Sequence, residues 1–203
     1  MRERVTRAAR ELFLEHGFGA TSLDTIARAA GVHRDTLYRQ YGNKERLCRL
    51  VIAEGMSRMR QGVTSAVGAG GPPEQVLARV ARQVHADVAA PEAQVVTRMV
   101  VAESRRFSEL TAAAYADWVT DLAALITYLE QQCAAGVLTI DDPAEGAHAF
   151  VSSASGGVRF LMAPPLTGPK LEAHLRRTVA LYLTGWHHRP APSVAAKKKS
   201  TRR

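Results

Sequence analysis

Between Val5 and Tyr41 the chain carries three apolar stripes at helical spacing, each cut off by a glycine, and this punctuation confines the N-terminal segment to short helices. Val5, Ala8, Ala9, Leu12 and Phe13 fall on the i, i+3, i+4, i+7, i+8 face of an amphipathic helix, which Gly17 is expected to end. Thr21 and Ser22 are both good N-caps, and Asp24 lies three residues after Thr21 as in a capping box. They precede Leu23, Ile26, Ala27 and Ala30, a second short helix that Gly31 stops. Leu37, Tyr38 and Tyr41 mark a third, Gly42 and Asn43 break it, and Asn43 can cap a fourth carrying Leu47, Leu50 and Val51.

No later segment alternates apolar and polar residues long enough to require a strand, so the whole chain reads as all-α. The GAGGPP stretch, Gly68 to Pro73, is the clearest internal loop. Beyond it Val76, Leu77, Val80, Val84 and Val88 predict a helix closed by Pro91, and Val95, Val96, Met99 and Val100 predict another. A long helix is expected to carry Leu110, Trp118, Leu122, Leu125, Ile126 and Leu129 to Gly136. One more runs from Pro143 through Phe150, Val151, Val158 and Leu161 to the APPLTG break, and the last holds Leu171, Leu175, Val179, Tyr182, Leu183 and Trp186. The Pro-, Ala- and Lys-rich end cannot bury enough apolar area to offset ordering. The expected organisation is a helix-turn-helix unit over 1–48, a larger helical body over 49–188 and a disordered basic tail over 189–203.

The net charge of +8 is unevenly spread: residues 1–50 carry +4, residues 51–188 carry −2 and residues 189–203 carry +6. Basic ends on an acidic middle suit a polyanion partner at one terminus or both, against the plainer reading of a solvated tail. No apolar run approaches the ~18 residues of a spanning helix and the start lacks a basic-then-apolar leader, so a cytoplasmic chain without membrane contact is expected. Cys48 and Cys133 lack the spacing of a metal or disulfide framework. Seven scattered histidines without HExxH, and a glycine loop lacking a P-loop lysine, leave no catalytic site, metal or cofactor to expect.

The second and third short helices have the lengths of a helix-turn-helix, whose second helix enters the major groove. With Leu37 inward, His33, Arg34, Asp35, Thr36 and Arg39 form a mixed donor and acceptor surface; Arg grips guanine, Thr meets a thymine methyl and Asp accepts from cytosine. Thr21 and Ser22, with the amides that open the second helix, can hold one phosphate, Lys44 another, and Tyr38 can give its hydroxyl to the DNA backbone. The bland alternative makes Thr21 and Ser22 caps only, and Tyr38 and Tyr41 core aromatics with wet tips.

Here the run AARELFLEHGFGATSLDTIARAAGVHRDTLYRQYGNKERL resembles the DNA-binding domain of the TetR family, with Phe13, Gly17, Thr21, Ile26, Ala27, Gly31, Leu37, Tyr38, Tyr41, Lys44 and Leu47 at matching places. The resemblance implies phosphate contacts from Thr21, Tyr38 and Lys44 and base reading from His33 to Arg39. His33 departs from it, standing where a small capping residue is usual. The segment RMVVAESRRFSELTAAAYADW, followed by AAGVLTIDDP and Phe150, is similar to the C-terminal domain of AefR-like regulators, with Ser108 replacing a usual Pro. The implied function is a repressor released from a palindromic double-stranded operator by a small hydrophobic ligand.

For that ligand Met99, Phe107, Tyr115, Trp118, Leu122, Phe150 and Met162 are the expected apolar lining, with Arg98 and Glu103 as polar anchors, although such a stripe also serves plain core. A homodimer is expected because one recognition helix reads too few base pairs. The resemblance places its interface on the last two helices, with Ser153, Gly157, Leu161, Leu175, Val179, Tyr182 and Trp186 as candidates. The rival reading is a dimeric DNA-binding protein with a solid body that senses nothing.

Overall fold

The computed structural model describes residues 1–102, 122–157 and 159–187. Among these residues it contains ten helices: α1 Arg2–Ala20, α2 Leu23–Ala30, α3 Arg34–Tyr41, α4 Lys44–Gly68, α5 Pro73–Ala89, α6 Pro91–Ala102, α7 Ala123–Ala134, α8 Pro143–Ala154, α9 Arg159–Met162 and α10 Gly168–Gly185. No strand occurs among the described residues, and none of their helices is long and apolar enough to cross a membrane.

The apolar stripes read from the sequence close into two cores. In the first, Val5, Ala9 and Phe13 of α1 meet Ile26 of α2, Leu37 of α3 and Leu47 and Val51 of α4. Phe13 and Phe18 stack at 5.4 Å between ring centroids. In the second, Val76, Leu77, Val80 and Val84 of α5 are enclosed by Val63 of α4, Leu125 and Leu129 of α7, Phe150 of α8 and Leu175 and Val179 of α10. The division expected at residue 48 falls inside α4, which gives its first turns to one core and Val63 to the other. α1 also packs on α6, a second link between the two units.

Local chemistry explains where helices stop. Gly31, at φ 62°, takes the left-handed conformation that a side chain resists, and the Val32 N–H closes on the Ala27 carbonyl at 3.0 Å. Asn43 caps α4 by accepting from the Arg46 N–H at 2.9 Å. Three stops differ from expectation. Gly17 breaks α1 with φ 78° and ψ 164°, but a further turn continues to Ala20. Pro91 opens α6 instead of closing α5: Ala90, forced extended before proline at ψ 132°, already separates the two helices. The helix expected to run from Pro143 to Leu161 ends at Ala154, because Gly156 and Gly157 adopt positive φ and α9 restarts at Arg159.

The GAGGPP loop is pinned from two sides. The Arg79 guanidinium donates to the carbonyls of Ala66 and Gly70, and the Tyr128 hydroxyl donates to Gly71 at 3.0 Å. Burial pushes the Tyr128 phenol above its usual range, Glu74 adding and Arg79 opposing, so it stays a neutral donor. Arg82 of α5 grips Glu172 of α10 through both oxygens, at 2.6 and 3.1 Å. Phe150, Tyr182 and Trp186 form an aromatic cluster with centroid separations of 5.1–6.2 Å. Gly146 makes room for it, since a Cβ there would stand 3.3 Å from the Trp186 ring.

Lys44 holds the first unit together. Its ammonium donates to the carbonyls of Phe18, Gly19 and Thr21 at 2.6, 3.2 and 2.8 Å and lies 4.5 Å from the Phe18 ring centroid. A cation there satisfies the orphan carbonyls that follow the break in α1 and meets the negative end of its dipole.

Three outcomes follow from this packing. Phe150→Ala removes a side chain with no exposed surface and should cost about 3–5 kcal/mol, read from urea unfolding at fixed protein concentration. Lys44→Met should lower stability by about 1.5 kcal/mol in the same measurement, through loss of charge-assisted bonds. Burial holds the Asp87 carboxyl above its usual value, the Gln83 hydrogen bond and Arg58 opposing. The folded state therefore binds more protons than the unfolded chain between those two values, and stability declines as pH rises through that window. Asp87→Asn should abolish the decline.

Candidate nucleic-acid interface

α2, Gly31 and α3 place one exposed helical face at the edge of the first unit. Leu37 is fully buried and anchors α3, while His33, Arg34, Asp35, Tyr38, Arg39 and Gln40 are exposed and Thr36 is half-buried. Six of the residues read from the sequence thus share a helix and its cap, and Gln40 joins them one turn beyond Thr36. Spacing gave no signal for it, because Gln40 stands three residues after the buried Leu37 and only its exposure in the structure adds it to the surface.

Arg34 is oriented by two neighbours. Its Nε stands 3.1 Å from Asp24 Oδ1 on α2, and its guanidinium lies 5.2 Å from the Tyr38 ring centroid. Both groups are substantially exposed, so the ion pair contributes little energy; it restricts the rotamers Arg34 samples before a partner arrives. His33 occupies the N-cap of α3 without a side-chain cap bond, and its Nδ1 lies 3.6 Å from Asp35. Its own carbonyl accepts from Thr36 and Leu37, leaving the first amides of α3 facing outward.

The four residues expected at phosphates divide into two pairs. Ser22 is exposed, accepts from the Thr25 N–H at 3.1 Å and shares a 2.8 Å bond with the Thr25 hydroxyl; Tyr38 is 39% exposed. Thr21 is only 2% exposed and its hydroxyl points to the carbonyls of Gly17 and Leu12, at 2.8 and 3.2 Å. Lys44 is committed to three carbonyls. In this geometry Thr21 and Lys44 clamp the end of α1 against the starts of α2 and α4, and so position the exposed pair. The nearby Tyr41 ring closes the core; burial raises its phenol, Glu54 adding and Arg2 opposing.

In the body, Glu103, Phe107, Tyr115 and Trp118 lie outside the described residues, as do the side chains of Met99 and Leu161. Leu122 and Phe150 are fully buried core, Met162 is 82% exposed, and Arg98 is exposed with one nitrogen 3.4 Å from Gln94 Oε1. The described residues expected at a dimer interface make contacts within their own chain. Leu175, Val179 and Trp186 pack inside their own core, the Tyr182 hydroxyl bonds to Ser153 at 2.8 Å, and Gly157 turns the chain. The face of α10 left outward is Arg177, Ala180, Leu181 and Thr184, at the same helical spacing but on the opposite side.

Comparison with known proteins agrees with this architecture. Residues 5–51 match the family of bacterial regulatory proteins of the TetR type, and residues 75–186 match the C-terminal domain of AefR-like transcriptional repressors. A TetR-family regulator from Mesorhizobium loti superposes with a TM-score of 0.81 at 21% identity, over 91% of this chain and 95% of that one. The flavonoid-responsive regulator FrrA does so with a TM-score of 0.71 at 31% identity, again over 91% and 95%. FadR of Thermus thermophilus, a repressor solved with lauroyl-CoA, gives 0.61 at 27% identity over 95% and 98%. The regulator UidR of Escherichia coli is 35% identical over 57 residues, 28% of this chain and 29% of its own length. Matches to such curated relatives span only 20–29% of those proteins. The helix-turn-helix and the body behind it are thus each accounted for, and the chain belongs to the TetR family of bacterial regulatory proteins, with an AefR-like C-terminal domain.

Proposed function

We propose that the protein is a dimeric repressor that binds a palindromic operator through α3 and is released from it by a small hydrophobic ligand. The observation that carries this reading is the outward face of α3, where Arg34, Thr36, Arg39 and Gln40 stand on a helix locked by the buried Leu37. Arg is suited to guanine, Gln to adenine and the Thr methyl to thymine, while Ser22, Tyr38 and the open amides of α2 and α3 supply phosphate contacts. Thr21 and Lys44 serve as positioning groups.

Two heads must fall in successive grooves, which calls for a second copy. The proposed contact is the outward stripe of α10 with Leu181, which is 69% exposed, together with Met162. FrrA and FadR are described by flavonoid response and by a bound acyl-CoA, and both ligand types suit a hydrophobic effector here. Such a ligand acts by preferring a body whose heads are misplaced for adjacent grooves, and α4 and α6 are the helices through which the preference reaches α1. A 100-fold loss of operator affinity requires about 2.7 kcal/mol of differential ligand binding.

Selection of bound duplexes from random DNA tests the reading, and the expected winner is a palindrome. Arg39→Ala should weaken that winner by about 1–3 kcal/mol while leaving urea unfolding unchanged. Deleting the basic segment 189–203, which lies outside the described residues, should reduce salt-sensitive nonspecific binding and spare site preference. A purified protein that favours no duplex over another at moderate salt sinks the proposal.

A further inference from the structure

His85 was not singled out by the sequence, where it merely continues the apolar stripe of α5. In the structure it is 5% exposed and its Nε2 lies 3.1 Å from the Leu166 carbonyl. A carbonyl only accepts, so Nε2 carries the hydrogen, and in the neutral ring Nδ1 then holds a lone pair. That Nδ1 is buried without a hydrogen-bond partner. On α6 the Gln94 Nε2, a donor, is likewise buried without one, while its Oε1 takes Arg98. His85 and Gln94 line the same small cavity, walled by Val88, Pro164, Pro165 and Leu166 with Ser155 and Arg159 at its edge, with room for about one water-sized group, ≈ 10 Å³. An orphan acceptor and an orphan donor on one apolar cavity each carry the desolvation cost of an unmade bond.

We infer that His85 and Gln94 form the polar anchor for a hydroxyl group that an apolar ligand inserts into this cavity, the rest of the ligand remaining outside it. A hydroxyl matches the pair with a single oxygen: its O–H donates to His85 Nδ1 and its lone pair accepts from the Gln94 amide. An ether lacks the hydrogen, so the anchor selects alcohols and phenols over their methyl ethers. The site bridges α5 and α6, and α6 packs on α1 of the first unit. This inference rests on the ligand-sensing reading and specifies the chemical class of the ligand.

The test uses the full-length protein labelled with ¹⁵N at histidine, titrated with 4-ethylphenol and with hexan-1-ol, each beside its methyl ether. The expected result is a shift of the His85 Nδ1 resonance with both hydroxyl probes and binding about tenfold tighter than the ethers, the size of one hydrogen bond to an otherwise unpaired buried group. His85→Phe and Gln94→Met, checked for folding by urea midpoint, should each reduce the preference to less than about threefold. Equal binding of alcohol and ether, a preference that survives both substitutions, or a His85 resonance indifferent to both hydroxyl probes, as for a bridging water only, overturns the anchor. Operator affinity is read in the same samples. Probe binding at His85 that leaves operator affinity unchanged upholds the anchor and defeats ligand release, whereas operator release with a silent His85 defeats the anchor alone.

Discussion

The molecule depends on α4 being a single helix. Its 25 residues, Lys44–Gly68, span about 37 Å at 1.5 Å per residue, and both ends are immobilised in different cores. At one end Leu47 and Val51 are sealed against α1, α2 and α3; at the other Val63 is sealed against α5. A helix so anchored cannot bend cheaply, because its backbone hydrogen bonds are satisfied internally and it has no proline to interrupt them. In the proposed function this helix is the lever that carries a displacement of the body to the helix-turn-helix.

The entrance to α4 shows how the chain secures that lever. Asn43 caps it and Lys44, the next residue, reaches back to three carbonyls at the end of α1. Thr21 closes the same junction from the other side through Gly17 and Leu12. Thr21 and Lys44 thus spend their polar atoms on the junction, and their polarity is explained by helix-end chemistry. The exposed readers on α3 owe their placement to this junction and to Leu37.

A second connection passes through α6, which touches α1 and supplies Gln94 to the cavity beside His85. The proposed ligand thus acts where α5 ends and α6 begins, at the extended Ala90 before Pro91. A few kcal/mol of differential binding at such a joint suffices to redistribute two packings of otherwise rigid helices.

The sequence by itself determined the helical class, the short helices of the first unit and the identity of its outward face. Periodicity is a local property, and Gly31, Asn43 and Ser22 announce helix ends through backbone conformations and caps that need no distant partner. It did not determine which of two polar readings a residue takes. Thr21 and Lys44 have the composition of phosphate ligands, and only the proximity of the α1 carbonyls turns them inward. The same limit applies to the body: one stripe of α10 was visible, but whether Leu175, Val179 and Trp186 face a partner or their own core depends on where α5, α7 and α8 pack. His85 and Gln94, nine residues apart on different helices, become a donor and acceptor pair only because the chain turns at Ala90 and brings both to one wall. Contacts between elements are set by how the faces nest together, a tertiary property that a linear pattern does not contain.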